Sequence, residues 1–200
     1  VCEDRCEGIE NLLALPKPAA GGNGPFRPEL VILDDAFQHR RVKPSHSIVL
    51  VNWHRPIFND NLLPIGRMRD LPEQICRAQS VIVTKSPMFG EHDGIIDYEL
   101  AAQQLAPIAK EWRKNLQLRD DQQLCFSYIL YDEPLPVDPA ADNRYLYAQS
   151  AIFFTGIAND TEFRNHVCGS YKILNSIKSP DHYNFTKSNI KELTSMSITF

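Results

Sequence analysis

One stretch constrains the fold more than any other: residues 30–41, which read Leu-Val-Ile-Leu-Asp-Asp-Ala-Phe-Gln-His-Arg-Arg. Four apolar residues, Leu30 to Leu33, run directly into two adjacent carboxylates, Asp34 and Asp35. A short apolar run bounded by polar residues is typical of a strand buried on both faces, as in a parallel sheet. We therefore expect an α/β fold with the acidic pair at the carboxyl end of a strand, where ligands of such sheets gather.

Two carboxylates at a strand end suit a hard divalent cation, because Mg²⁺ is usually held by one or two carboxylates together with substrate phosphates. Many P-loop enzymes use a strand-end Asp in this way. The pair also fits a plainer role, since Asp is a favoured N-cap residue and an acidic helix cap could follow the strand. Asp34 and Asp35 are thus candidate metal ligands, and which of them would touch the metal stays open.

Composition excludes several classes of function. The chain is 43% hydrophobic and 23% charged with a net charge of −4, which is ordinary for a globular protein and gives no general basic surface for nucleic acid. No apolar run approaches the ~20 residues of a membrane span, and the first residues do not resemble a signal peptide. The five cysteines contain no Cys-x-x-Cys, which favours free thiols over a zinc site or disulfides.

Hydrophobic periodicity predicts helices and strands in alternating order, typical of an α/β domain with a mainly parallel sheet. The predicted helices cover residues 4–15, 95–105, 161–167 and 187–193, and the predicted strands 30–33, 47–51, 81–84, 151–157 and 172–177. Pro107 is expected to end or kink the second helix. Two strand-like stretches, 124–131 and 144–150, flank a segment rich in Pro and Asp, and we interpret them as a long-looped β-ribbon.

Six motifs, in this order and spacing, resemble those of one family. They are Val-Cys-Glu-Asp-Arg (1–5), Leu-Asp-Asp-Ala-Phe-Gln-His-Arg-Arg (33–41), Leu-Leu-Pro-Ile-Gly-Arg-Met-Arg-Asp (62–70), Val-Ile-Val-Thr-Lys (81–85), Phe-Thr-Gly-Ile-Ala-Asn (154–159) and Pro-Asp-His-Tyr-Asn-Phe-Thr (180–186). Together they resemble the tetraacyldisaccharide 4′-kinases, the lipid A 4′-kinases, over nearly the whole chain.

The resemblance implies a P-loop-type, Rossmann-like three-layer core and a smaller α/β domain. In these terms residues 1–121 are the later part of the kinase core, 122–150 a two-stranded linker and 151–200 the smaller domain. The implied activity is ATP- and Mg²⁺-dependent phosphorylation of the 4′-hydroxyl of a lipid A disaccharide precursor, at the cytoplasmic face of the bacterial inner membrane. It leaves the oligomeric state and the acyl-chain preference open.

The resemblance also assigns roles to residues of this chain. Asp34 and Asp35 match a Walker-B-like pair that holds the metal, and Gln38 and His39 complete that motif near the nucleotide or substrate. The implied catalytic residues are Asp35, Arg69 and His182, and the implied cofactor-binding residues are Gln38, His39 and Asp70. Three of them also have a plainer reading: His39 bonded to a backbone carbonyl, Arg69 on a solvated face, and His182 packed in a loop.

Part of the family's active site has no counterpart in this sequence. None of the nine glycines precedes a Lys, so there is no Walker A loop, and the family's catalytic Asp also lies before the equivalent of residue 1. We therefore expect a fragment that is inactive by itself. Two alternatives stay open: a non-catalytic interaction or scaffold domain that keeps the fold without the P-loop, and a different nucleotide-dependent enzyme with a soluble acceptor.

Overall fold

A computed structural model describes residues 4–16, 27–92, 95–135, 147–157, 159–180, 183–184, 186–189 and 191 of the 200-residue chain. The chain forms two compact units, Val1–Ile129 and Leu130–Phe200. The predicted domain bounds, 1–121, 122–150 and 151–200, stay predictions. No helix in the described part of the chain combines the length and apolarity that crossing a membrane requires.

The first unit is built on a parallel sheet, as the sequence predicts. Its strands are β1 (Ile48–Asn52), β2 (Ser80–Thr84) and β5 (Gln123–Phe126), with β2 in the middle and both neighbours parallel to it. Val51 and Val83 are paired in the register and almost fully buried on the same face. Because β-branched side chains pack well on a pleated surface, this valine-rich face of the sheet forms one side of the hydrophobic core.

Helix α2 (Tyr98–Asn115) covers that face of the sheet. Asp97 caps it by accepting hydrogen bonds from the backbone N–H groups of Glu99 and Leu100. Trp112, on its last turns, stacks on Trp53 with ring centroids 5.3 Å apart. The expected end of the helix at Pro107 is wrong, since the helix continues through this residue to Asn115, whereas a kink there stays a prediction. The packing of its apolar face outweighs the lost backbone hydrogen bond, which makes an interior proline costly but tolerable.

A further helix and an antiparallel strand pair also belong to the first unit. Helix α1 (Arg5–Leu13) lies where the periodicity predicts it and is capped by Asp4, whose side chain accepts from the backbone N–H of Cys6 at 2.8 Å. Strands β3 (Glu91–His92) and β4 (Ile95–Ile96) form an antiparallel pair before α2. The expected helix start at residue 95 is therefore wrong by three residues, because Asp97 supplies the cap.

The predicted strand at residues 30–33 is also wrong. These residues have no assigned secondary structure and make no ladder with another strand among the described residues. Leu30 is 73% exposed and Ile32 83%, whereas Val31 and Leu33 are half-buried. A β-strand is stabilised by hydrogen bonds to a neighbouring strand. An apolar sequence does not show whether such a neighbour is present.

The second unit is a small β-α-β arrangement. Strands β6 (Ser150–Thr155) and β7 (Lys172–Lys178) are parallel, joined by helix α3 (Thr161–Ser170), close to the predicted bounds. Phe153 is buried beneath α3, with its ring centroid 5.2 Å from that of Phe163. The predicted last helix, 187–193, is helical at 187–189 and 191, and its other residues lie outside the described ones.

The first stretch of the predicted β-ribbon pairs with the core sheet and not with the second stretch. Leu124 and Cys125 belong to β5 and pair with β2 in the core sheet, and the following described residues form no strand up to 135. Most of its second stretch, 144–146, lies outside the described residues. A two-stranded linker between the units thus stays a prediction, with its first strand reassigned to the sheet.

Candidate active-site loop

The acidic pair lies on an exposed loop that follows residues 30–33. Asp34 and Asp35 form a turn, and Asp35 has a φ of 47°. Asp adopts this left-handed conformation more readily than most residues because its short side chain can bond locally. A second turn follows directly, closed by a hydrogen bond of 2.9 Å from the backbone N–H of His39 to the carbonyl of Ala36. Both carboxylates are therefore presented to solvent on a folded loop.

Arg77 fixes this loop to the segment before β2. Its Nη2 donates a hydrogen bond of 3.0 Å to the backbone carbonyl of Phe37, and its guanidinium lies 4.3 Å from the centre of the Phe37 ring. Arg77 belongs to a short 3₁₀ segment, Pro72–Arg77, whose Ile75 is part of the core. The position of the acidic loop is thus tied to the core of the first unit.

The structure also brings Asp70 to this loop. Its Oδ2 lies 3.5 Å from Nη2 of Arg40 and 3.9 Å from Nη2 of Arg77. Arg40 also donates to Oε1 of Gln74 at 3.4 Å. Asp70 is therefore engaged by two arginines in this structure, and its predicted contact with a nucleotide stays a prediction.

The predicted residues Gln38, His39 and Arg69 are exposed. His39 receives a hydrogen bond of 2.7 Å at Nε2 from Nη1 of Arg5. Within the described part of the chain Arg69 makes no hydrogen bond or ion pair, so its guanidinium is available to an anion. His182, the predicted orienting residue, lies outside the described residues.

The donor set fits magnesium. Asp34 and Asp35 supply adjacent, exposed carboxylate oxygens, and Mg²⁺ needs only one or two carboxylates when substrate phosphates and water fill its other positions. The described residues contain no group of three or more His, Cys, Asp or Glu side chains suited to a closed metal site.

Sequence reasoning missed two residues of this region, Arg5 and Arg77. Arg5 lies in the first of the six motifs, which was noted without a role for its Arg. Arg77 is 40 positions from Phe37, and no local pattern links the two.

Comparison with known proteins identifies the family. The chain is 34% identical over 204 residues to the tetraacyldisaccharide 4′-kinase of Bacteroides thetaiotaomicron, covering 96% of this chain and 48% of that protein. It is 34% identical over 161 residues to the corresponding protein of Porphyromonas gingivalis, covering 80% of this chain and 41% of that protein.

A crystal structure of LpxK from Aquifex aeolicus in complex with ATP also matches, with 22% identity and a TM-score of 0.49, covering 80% of this chain and 44% of that one. The chain spans about half the length of the curated relatives it matches. The model of the tetraacyldisaccharide-1-P 4′-kinase family matches residues 1–198, and the chain therefore belongs to this family.

Proposed function

We propose that the protein to which this chain belongs transfers the γ-phosphoryl group of ATP to the 4′-hydroxyl of a tetraacyl disaccharide 1-phosphate. The observation that carries the proposal is that the family match includes an exposed acidic loop held in place by Arg77. The relatives it matches are tetraacyldisaccharide 4′-kinases.

Phosphoryl transfer depends mainly on positioning and on neutralising charge at the transferred group. Arg69 is exposed and could bond two phosphate oxygens at once, which a planar guanidinium does well. Asp34 and Asp35 would hold Mg²⁺, which when bound neutralises phosphate charge. Asp70, between Arg40 and Arg77, would keep those arginines beside the loop.

The sugar hydroxyl must also lose a proton during the transfer, and a carboxylate or His usually accepts or guides it. The Pro-Asp-His-Tyr-Asn-Phe-Thr motif supports an orienting role for His182, since a carboxylate–His pair fixes the tautomer and direction of the ring. This role rests on the motif, because His182 lies outside the described residues.

A peripheral position at the cytoplasmic face of the bacterial inner membrane is part of the proposal. An acceptor with four acyl chains remains in a bilayer, whereas ATP is a cytoplasmic solute. Fractionation of cells that express the complete protein tests this part: recovery in the salt- or carbonate-extractable membrane fraction supports it, and recovery only in the soluble fraction contradicts it.

The activity is tested with the complete protein, radiolabelled ATP, Mg²⁺ and a tetraacyl disaccharide 1-phosphate. Asp35→Asn is the informative variant, because Asn also tolerates the left-handed conformation at this position and removes only the charge. We expect labelled lipid from the intact protein and a loss of about 100-fold or more in the variant, the usual scale for groups that stabilise developing charge. Glu29→Gln, an exposed residue before the loop, is the matched control.

No labelled lipid from a folded, complete protein would contradict the proposal and favour the scaffold alternative. Transfer to a soluble acceptor, with the lipid disaccharide ignored, would favour a different nucleotide-dependent enzyme. The 200-residue chain alone should give no product, because none of its glycines is followed by the Lys of a Walker A loop.

A further inference from the structure

A cavity of about 300 Å³ lies beside the acidic loop, between the start of α1 and the residues that follow the loop. The residues that line it are Asp4, Arg5, Cys6, His39, Arg41 and Val42. All of them belong to the first unit. The proposed function described above gives Arg5 and Arg41 no role.

Two arginines and a histidine are among the side chains that meet at this cavity. Nη1 of Arg5 lies 2.7 Å from Nε2 of His39, and Nη1 of Arg41 lies 3.4 Å from Oδ2 of Asp4. Two guanidinium groups, an imidazole and one carboxylate thus line the same cavity. A guanidinium has five N–H donors in a rigid fork, so each Arg can serve its present partner and an incoming anion together.

Asp4 offsets only one of the two arginine charges, that of Arg41. Its Oδ1 accepts from the backbone N–H of Cys6 at 2.8 Å, so one oxygen is committed to capping α1. Hydrogen bonds from the backbone of Cys6 and Glu7, together with Arg41, hold the pKa of this carboxyl below its ordinary value, and it stays ionised near neutral pH. Its second oxygen holds Arg41 at the cavity instead of filling the cavity itself.

The cavity is connected to the acidic pair by sequence and by backbone hydrogen bonding. His39 lies four positions after Asp35, in the turn closed by its own N–H to the carbonyl of Ala36. One loop therefore supplies both the carboxylates suited to a metal and the imidazole at the cavity. A ligand with more than one phosphate or polar group can therefore meet the carboxylates and the cavity through residues of the same loop.

We propose that Arg5, His39 and Arg41 bind a phosphate group of one of the two substrates. This inference rests on the proposed function and deepens it. Two sources have the same chemistry: a phosphate of ATP, and the 1-phosphate of the disaccharide acceptor. Arginine forks match phosphate oxygens bidentately, and charge-assisted hydrogen bonds of this kind are about twice as strong as neutral ones.

Binding measurements on the complete protein test the proposal. Affinities are measured by calorimetry for ATP, for the tetraacyl disaccharide 1-phosphate in detergent, and for the same disaccharide without its 1-phosphate. The variants are Arg5→Gln and Arg41→Gln, with Arg5→Lys as the variant that keeps the charge and Arg27→Gln as an exposed control away from the cavity. We expect Arg5→Gln to weaken one phosphorylated ligand by about tenfold or more, and Arg5→Lys to restore part of the loss.

The arms separate the two sources. If the cavity takes the 1-phosphate, the disaccharide without it binds the native protein and Arg5→Gln equally, and ATP affinity is unchanged. If it takes a phosphate of ATP, only ATP binding weakens. Equal affinity of Arg5→Gln and the native protein for both phosphorylated ligands would overturn the proposal, as would an equal loss in Arg27→Gln.

Folding and activity are controlled separately. Arg41 is largely exposed, so Arg41→Gln tests the same cavity if Arg5→Gln does not fold. Because the readout is binding, a native protein that binds both ligands but transfers no phosphate would contradict the proposed function and leave the cavity intact. A native protein that transfers phosphate, together with variants that bind both ligands normally, would contradict the cavity proposal and leave the proposed function intact.

Discussion

At the scale of single residues, Arg77 decides where the acidic loop lies. It donates to the carbonyl of Phe37, lies over the Phe37 ring and faces Asp70. A hydrogen bond from a charged donor contributes about 1.5–3 kcal/mol, and a cation–π contact at a partly exposed site about 0.5–1 kcal/mol. Nε of Arg77 is buried without a hydrogen-bond partner among the described residues, which subtracts from that sum.

We expect Arg77→Ala to lower the free energy of unfolding of the first unit by about 1–3 kcal/mol. Amide hydrogen exchange should become faster at residues 34–41 before it changes elsewhere, because the loop loses its attachment to the core. Urea denaturation and exchange monitored by mass spectrometry measure the two effects. The control, Arg67→Ala at an exposed arginine, should change neither the free energy of unfolding nor the exchange rate. Unaltered exchange at residues 34–41 in Arg77→Ala would show that the loop keeps its conformation without Arg77.

Asp160 is the comparable residue of the second unit. It is 6% exposed at the start of α3, with Nζ of Lys178 2.7 Å from Oδ1 and Nη2 of Arg164 3.6 Å from Oδ2. The hydrogen bond from Lys178 lowers the pKa of Asp160 below its ordinary 3.8, against the opposing effect of burial. A carboxyl whose pKa is depressed by folding stabilises the folded state above its unfolded pKa, and this stabilisation is lost as the pH falls through its folded pKa.

Asp160→Asn should therefore have a lower urea midpoint than the native chain at pH 7. The difference should persist to about pH 4 and close at lower pH, as the native carboxyl itself becomes protonated. The measurement is urea denaturation at several pH values, with the unfolding of β6 and β7 followed by hydrogen exchange. Glu133→Gln is the control for a general charge effect. A gap that stays constant down to the lowest pH would mean that the charge of Asp160 is irrelevant.

At the scale of elements, α2 shows packing overriding local propensity. Pro107 is the tenth residue of this 18-residue helix and removes one backbone donor. The helix is kept by Asp97 at its start and by Trp112 and Leu116, buried against the sheet near its end. An interior proline costs a helix about 3 kcal/mol relative to alanine.

Replacing this proline should consequently stabilise the protein. Pro107→Ala is expected to raise the free energy of unfolding by roughly 1–3 kcal/mol, the upper value applying if the backbone straightens without moving Trp112. Pro44→Ala, outside any helix or strand, should instead lose a few tenths of a kcal/mol by loosening the unfolded chain. Urea denaturation of both variants measures the contrast, and a destabilised Pro107→Ala would indicate that the core requires a bend here.

Sequence patterns located the elements that carry their own signals. Asp4 and the apolar spacing of 9–13 define α1, and the β-branched runs define β1 and β2. Residues 30–33 carry the same apolar signal without a partner strand, so the prediction failed where pairing decides. The acidic pair Asp34 and Asp35 was predicted at a strand end, and the loop's attachment to Arg77 and the approach of Arg5 to His39 depend on tertiary contacts across 40 and 34 positions.

At the scale of the whole molecule, the two faces of the core sheet differ. Val49 and Val51 point to the face covered by α2, whereas Ile48 is 54% and Leu50 64% exposed on the other face. A parallel sheet normally has both faces covered, and β1 is in addition an edge strand of this sheet. The described residues thus leave an apolar surface that water meets directly.

The 200-residue chain should self-associate through this surface as its concentration rises. Leu50→Lys places a charge in the middle of the face and is expected to reduce the association, because burying an unpaired ammonium is unfavourable. Ile65→Lys removes an equally apolar side chain, 88% exposed in a loop, and should leave the association as it was. Sedimentation velocity over a concentration series compares the three chains. A native chain that stays monomeric throughout would contradict this expectation.

The parallel order of the sheet also has a consequence during synthesis. Its central strand β2 needs β5, and Ser80 and Gln123, which face each other in the register, are 43 positions apart. At a translation rate of 5–20 residues per second, the ribosome takes about 2–9 s to make that interval. Throughout this time one edge of β2 has no partner, so a nascent chain with β1 and β2 already paired would be a substrate for chaperones that bind unpaired apolar strands.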